Sequence, residues 1–136
     1  MPFLNDLVTQ LTTESWGTLN SDIFTSTRTS IPVLASGFAT LQLTATGGTD
    51  PINTHNDLLL PAYIRPTAQA MIRAGNAELA MTRAIAARNA LYKIRNTTIN
   101  GTWYQSVRLL GDLHDSGLDA RQQSRVSFNV MGTLRP

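Results

Sequence analysis

The chain contains two histidines, His55 and His114, and the residues around them are the first candidates for metal chemistry. His114 lies between Asp112 and Asp115, and imidazole and carboxylate groups are good ligands for divalent metals. The segment lacks the regularly spaced carboxylates and the terminal glutamate of a calcium-binding loop. We therefore interpret it as a solvated polar loop, and we expect the protein to hold no metal and no cofactor.

Other catalytic patterns are missing from the sequence. A hydrolase serine would need a Gly-x-Ser-x-Gly turn, which the sequence does not contain. Gly47-Gly48 is not followed by the Lys-Ser/Thr pair that completes a phosphate-binding loop. Acid–base catalysis by carboxylates needs a shared cleft, whereas the only glutamates, Glu14 and Glu78, are predicted on helix surfaces. Without cysteine there is no thiolate nucleophile and no disulfide. The sequence therefore favours a structural or binding protein over an enzyme.

Trp103, Tyr104 and Arg108 could suggest a surface on which nucleic-acid bases stack. Adjacent residues of a strand point to opposite faces, so Trp103 and Tyr104 cannot form one platform. We expect one of the two rings to enter the core.

The charged residues are few and scattered along the chain. They make up 15% of the residues, against about 25% in an average soluble protein, which indicates that other chains cover part of the surface. The net charge is +2 and the basic residues form no run, so charge does not predict a nucleic-acid-binding face, and non-specific contact with DNA stays open as an alternative. Lys93 is the only lysine, and arginine is favoured at interfaces and against phosphate.

The length of 136 residues suits one domain, residues 1–136, with a core of its own. The first residues show neither the basic region nor the long apolar stretch of a secretory signal. The longest apolar run, residues 58–64, is broken by Pro61 and is too short to cross a bilayer. We expect a soluble intracellular product without membrane contact.

An amphipathic helix is predicted at the start of the chain, where Pro2 suits the first helical position. Apolar residues then recur on one helical face, at Leu4, Leu7, Val8 and Leu11. The helix is expected to end at Gly17. Its apolar face could pack on the protein's own core or reach a neighbouring subunit.

Polar segments follow this helix. Residues 18–36 are rich in Ser and Thr and predict a long surface loop with one edge strand, and the alternation over residues 39–45 predicts a half-buried strand. Residues 52–57 predict a polar loop, and such loops often make contacts, here through His55 and Asp57.

Residues 66–73 show a strand pattern that passes directly into a helix pattern. Alternation places one set of side chains on each face, Ala68, Ala70 and Ile72 on the first and Gln69, Met71 and Arg73 on the second. We expect the alanine face to pack beneath the following helix and the Gln69/Arg73 face to meet a neighbouring subunit or a channel. The alternative is an intramolecular role for Arg73, paired with Asp119.

The following helix is predicted to begin after Asn76, a good N-cap. Mostly small residues form one stripe along it, which lets the helix lie close to a sheet: Ala77, Ala80, Met81, Ala84, Ala87 and Leu91. Arg83 and Arg88 lie elsewhere on the helix and are expected to be solvated or interfacial.

Asn100-Gly101 predicts a β-hairpin between a short arm, residues 97–99, and a strand, residues 102–110. Residues 111–119 predict a loop, and residues 124–131 predict a final strand. Strands that pair as hairpins, with helices on one face, make an α+β fold. We predict a mostly antiparallel sheet with two main helices, the second packed on the sheet, and long polar loops.

The spacing of Pro66, Gln69 and Arg73, followed by an alanine-rich helix, resembles the central strand and helix of tail terminator proteins of long-tailed bacteriophages, which are minor capsid proteins that join head and tail. That family continues with glycine directly after the arginine, whereas this chain has Ala74 and then Gly75. The likeness extends to the turn at residues 46–48, the acidic and apolar residues 22–24, and the end of the chain around residues 119–130.

The resemblance implies a virion protein that forms a ring, usually a hexamer, that caps the tail tube and joins it to the neck. Its partners would be copies of itself, the tail tube protein and a neck or head-closure protein. Genomic DNA would pass through the channel without sequence-specific binding, and the family has no catalytic residues. The protein would be made in the host cytoplasm and act in the tail and neck region. Candidate interface residues are Gln69, Arg73, Arg83, Arg88, His55 and Asp57.

Two other classes of protein remain as alternatives. One is another connector ring between head and tail, such as a head-closure or adaptor protein. The other is a small DNA-binding or regulatory protein that acts as a monomer.

Overall fold

Two helices and nine strands are formed by the residues that the computed structural model describes, 2–25, 38–52 and 63–135. The helices are α1 (Pro2–Thr13) and α2 (Ala77–Tyr92). The strands are β1 (Ile23–Thr25), β2 (Ala39–Ala45), β3 (Thr49–Ile52), β4 (Tyr63–Arg65), β5 (Thr67–Ala74), β6 (Arg95–Ile99), β7 (Thr102–Leu109), β8 (His114–Leu118) and β9 (Ser124–Leu134).

The strand β9 is at the centre of the sheet. It pairs with β5, β8, β7 and β4, all antiparallel. Beyond these, β2 pairs with β5, β6 with β7 and β3 with β4, again antiparallel, while β1 lies parallel to β2. The mostly antiparallel sheet and the two helices confirm the predicted α+β class.

The strand β5 is paired along its whole length, with β2 on one side and β9 on the other. As alternation predicts, Ala68, Ala70 and Ile72 are fully buried, whereas Gln69 and Arg73 are only partly covered. On the same face, β9 contributes larger buried side chains, Val126, Phe128 and Val130. A slip of one residue would turn Gln69 and Arg73 into the core, so the pattern fixes the register of this strand.

The helix α2 packs on the buried face of the sheet, against β5, β7 and β9. The side-chain oxygen of Asn76 accepts a hydrogen bond from the Leu79 backbone N–H at 2.7 Å, which confirms the predicted N-cap. Its buried residues are Ala80, Ala84, Ala87, Ala90 and Leu91. Short side chains therefore separate helix from sheet, as predicted. The predicted stripe is wrong for Ala77, which is exposed because the buried stripe begins one turn later.

The apolar face of α1 belongs to the protein's own core, the first of its two predicted alternatives. The side chains of Leu4, Leu7, Val8 and Leu11 are all buried, and α1 contacts α2, β2 and β6. The helix ends at Thr13, before the predicted Gly17.

A buried polar contact joins α1 to the sheet. The Tyr104 hydroxyl, fully buried on β7, donates a hydrogen bond to the Asp6 carboxylate, which is 3% exposed. The Asn100 side-chain amide donates a second hydrogen bond to that carboxylate at 3.0 Å. Burial, followed by the contact with Asp6, raises the pKa of Tyr104. Trp103 remains partly exposed, so only one of the two adjacent rings enters the core, as predicted.

The predicted loop over residues 111–119 is wrong in part, because His114–Leu118 forms β8. This strand pairs only with β9 among the described strands, and most of its side chains are exposed. With neither face buried, its sequence shows no alternation of apolar and polar residues. An irregular register between Asp115 and Gly117 further interrupts the strand.

Candidate assembly surface

The face of the sheet opposite the helices is mainly polar. Cross-strand pairing places side chains of β2, β5 and β9 in three rows on this face: Thr44, Gln69 and Asn129; Gln42, Met71 and Ser127; Thr40, Arg73 and Arg125. Because α2 packs on the other face of β5, neither described helix covers these rows. We call this face the outer sheet face.

Arg73 is held on the outer sheet face by its neighbours. Its Nε lies 3.4 Å from Asp119 Oδ2, and its Nη1 donates a hydrogen bond to Gln42 Oε1 at 3.3 Å. Partial burial lowers the pKa of Arg73, Asp119 opposes that shift, and the positive charges of Arg121 and Arg125 add to it. The intramolecular pairing with Asp119 that the sequence left open is therefore present.

Asp119 is itself fixed by the backbone of the turn before β9. Its Oδ1 accepts hydrogen bonds from the backbone N–H of Arg121 at 2.8 Å and of Gln123 at 3.0 Å. The hydrogen bond from Gln123 is the largest of the effects that lower the pKa of Asp119, and the positive charges of Arg121 and Arg73 contribute too. A carboxylate that the turn holds in place thus orients Arg73, so the guanidinium has a defined position at one end of the outer sheet face.

Arg83, which was expected to be solvated or interfacial, is partly exposed and also binds Trp16 within the chain. The Arg83 guanidinium lies 4.2 Å from the centroid of the Trp16 ring and donates a hydrogen bond to the Trp16 carbonyl oxygen. In return, Trp16 Nε1 donates to the Arg83 carbonyl oxygen at 2.9 Å. Burial is the main cause of a lowered pKa of Arg83. This arginine fastens the end of α1 to α2.

The predicted interface residues do not gather into one site. Gln69 and Arg73 share the outer sheet face, whereas Arg83 and Arg88 lie on α2, which covers the opposite face. Arg88 is partly exposed, and its Nε donates a hydrogen bond to Asn89 Oδ1 at 3.3 Å. His55 and Asp57 lie outside the described residues.

One concentration of charge was missed by sequence reasoning. Arg65, Arg95 and Arg108, which are far apart in the chain, line one groove of about 460 Å³ on the sheet surface. The sequence offered one usable signal: Arg108 follows buried Val107 and so points away from the core. The pairing of distant strands, which the sequence does not specify, brings the other two arginines beside it.

Two further features of the described residues concern metal binding and membrane contact. Among the described residues, no group of three or more His, Cys, Asp or Glu side chains is placed to hold a metal ion. The described part of the chain also contains no helix that is long and apolar enough to cross a membrane.

Comparison with known proteins gives a likeness of fold. No protein-family model matches the chain, and neither does any curated protein. Among solved structures, the chain is similar to one in the virion of a native gene transfer agent particle, with a TM-score of 0.52. The alignment covers 96% of this chain and 84% of that one, and 11% of the aligned residues are identical. The α+β fold of this chain, with β9 at the centre of its sheet, is thus a fold that also occurs in a virion protein.

Proposed function

We propose that this protein is a structural component of a phage-like virion, that it forms a ring, and that the ring caps the tail tube and joins it to the neck. The observation that carries the proposal is the shared fold with a virion chain over 96% of the present chain. The spacing of Pro66, Gln69 and Arg73 supports the finer assignment to the tail terminators. Six copies per ring is the expected number, and the protein acts without catalysis.

The outer sheet face has the rigidity that a ring needs. A ring of identical subunits closes only if every contact sets the same rotation, which requires well-positioned side chains. Gln69 and Arg73 stand on β5, which is paired on both sides, and Asp119 fixes the direction of Arg73. We assign these two residues to the contact with the next subunit or to the channel wall.

Strand edges offer a second kind of contact. Within the described residues, β6 and β8 each pair with a strand on one side only. The backbone N–H and C=O groups on their other side can form hydrogen bonds with a strand of a neighbouring subunit. Contact with the tail tube protein or with a neck protein through such an edge would need no pocket.

Electron microscopy of particles produced without this protein tests the proposal. A tail terminator predicts over-long tails and heads without tails. Another connector ring, which the same likeness of fold also supports, predicts tails of normal length and heads that leak DNA. Normal particles, together with absence of the protein from purified virions, would refute both.

The third candidate, a DNA-binding regulator, is distinguished by its location and its sequence preference. A regulator binds one DNA sequence in preference to others and is absent from purified virions, whereas a ring component is present in them. Mass spectrometry of purified particles therefore separates these two classes.

A further inference from the structure

The groove lined by Arg65, Arg95 and Arg108 crosses several strands of the sheet. Arg95 on β6 lies opposite Ser106 of β7, which in turn lies opposite Thr133 of β9. Arg108 and Met131 form the neighbouring pair. Arg65 ends β4 on the other side of β9, where Ile64 pairs with Leu134. The three arginines thus span four adjacent strands, or roughly 14 Å at the usual separation of strands.

The chemistry of this groove is that of an anion site. Among the residues whose side chains the structure describes, its remaining lining consists of amide, hydroxyl and thioether side chains, and none of these described residues is acidic: Asn96, Gln105, Ser106, Met131 and Thr133. Arg95 and Arg108 are exposed, and neither forms an ion pair with any residue that the structure describes. A concave surface of one sign concentrates counter-ions. Guanidinium groups also match the geometry of phosphate oxygens better than lysine does.

The span of the groove favours a chain of phosphates over a single phosphate ion. A DNA strand carries one charge for roughly each 3.4 Å of helix axis, so a groove of this width meets several charges at once. The backbone positions of Arg65 and Arg95 lie roughly 14 Å apart, which is wider than a single phosphate ion.

The neighbouring aromatic residues favour a duplex over a single strand. Trp103 lies on the outward side of β7, but its ring is already covered by the Arg135 guanidinium, 4.3 Å from the ring centroid. Tyr63 lies beside it, with ring centroids 6.4 Å apart. The Arg135 guanidinium thus occupies one face of the Trp103 ring, which leaves less aromatic surface on which unpaired bases could stack.

We propose that this groove binds the phosphate backbone of double-stranded DNA without regard to sequence. The choice of genomic DNA as the natural ligand rests on the proposed function, whereas the preference for a row of phosphates rests on the groove itself. In a virion component, the groove would guide or retain DNA at the tail.

The test is binding of the full chain to a labelled duplex of about 20 base pairs, followed by fluorescence anisotropy from roughly 50 to 200 mM salt. If Arg95 and Arg108 each neutralise one phosphate, the predicted log–log slope is about −1.8, which is roughly 12-fold weaker binding across that range. Arg95→Gln and Arg108→Gln should each weaken binding and reduce the steepness of the slope by about 1. Arg88→Gln, on the far side of the molecule, is the matched control and should bind as the unchanged protein does.

Several outcomes would overturn the inference. They are unchanged binding by the double variant of Arg95 and Arg108, equal binding of polyglutamate, full competition by inorganic phosphate, and a marked preference for one DNA sequence. Thermal melting of each variant checks that the exposed substitutions leave the fold intact.

The two proposals can fail separately. A chain that caps tails but does not bind the duplex refutes the DNA groove alone. A chain that binds the duplex but is absent from virions refutes the proposed function alone.

Discussion

Replacing Tyr104 by phenylalanine removes one oxygen atom from the interior and tests what holds α1 to the sheet. Tyr104 is fully buried, and its hydroxyl donates to an Asp6 carboxylate that is itself 3% exposed. After the substitution the carboxylate keeps the hydrogen bond from Asn100 but loses the one from the ring. Burial excludes water from the vacated position, so the lost hydrogen bond is not replaced.

The expected cost follows from the kind of hydrogen bond that is lost. A hydrogen bond to a charged group contributes about 1.5–3 kcal/mol, so Tyr104→Phe should lower the free energy of unfolding by about 2 kcal/mol. Since a folded domain of this kind is stable by only about 5–15 kcal/mol, this is a large fraction of the total.

Urea unfolding followed by circular dichroism measures the effect, with the slope against urea expected to stay unchanged. Tyr92→Phe is the matched control, because Tyr92 is partly exposed at the end of α2, and it should change stability by less than about 0.5 kcal/mol. A double-mutant cycle with Asp6→Ala should give a coupling energy of about 1–3 kcal/mol. If Tyr104→Phe matches the Tyr92→Phe control, or if the coupling is zero, the hydroxyl does not join α1 to the sheet.

Three further predictions concern pH, assembly and packing. Because burial raises the pKa of Tyr104, the folded state keeps the phenol proton at a pH where the unfolded chain loses it. The free energy of unfolding should therefore fall as the pH rises above about 10, by about 1.4 kcal/mol per pH unit. In Tyr104→Phe, unfolding measured at several pH values should no longer show this slope. Arg73→Ala should lower the free energy of unfolding by only about 0.5–1 kcal/mol, since the ion pair of Arg73 with Asp119 is partly exposed. The same substitution should abolish the ring or tail assembly that electron microscopy detects. Equal loss of stability and assembly would show that Arg73 acts in the fold alone. Gly132→Ala should lower the free energy of unfolding by about 1–3 kcal/mol, because a Cβ atom at this position would lie 2.7 Å from the Phe3 ring. Gly75→Ala is the control, since a Cβ atom there would have no neighbour within 4 Å, and it should be neutral or slightly stabilising in the same urea assay.

The elements that could be predicted from the sequence are those with one buried face. Alternation located β5 and β9, and the cap at Asn76 and the small residues after it located α2, because burial against a core imposes a period on the sequence. The hairpin turn at Asn100-Gly101 was predictable because Asn100 and Gly101 both have positive φ, of 50° and 82°, which this residue pair favours. By contrast, β8 has no buried face and left no such pattern.

The contacts that could not be predicted join residues far apart in the chain. Asp6 and Tyr104 are 98 positions apart, and Arg83 and Trp16 are 67 apart. Composition and spacing do not indicate which distant groups meet, because that depends on which strands pair and on which face the helices pack. The arginine groove was missed for the same reason, whereas the pairing of Arg73 with Asp119 was at least named as an alternative.

The central position of β9 has a consequence for how the protein is made. In chain order β9 follows all the other described strands, yet it supplies the partner for β4, β5, β7 and β8. While the ribosome is still synthesising the preceding residues, those four strands lack their common neighbour and their edges remain open. Such pairing between distant segments is slow, and open edges invite association with the wrong chain. A truncated product lacking β9 would thus have no complete outer sheet face, and it could not form the contact that we propose for that face.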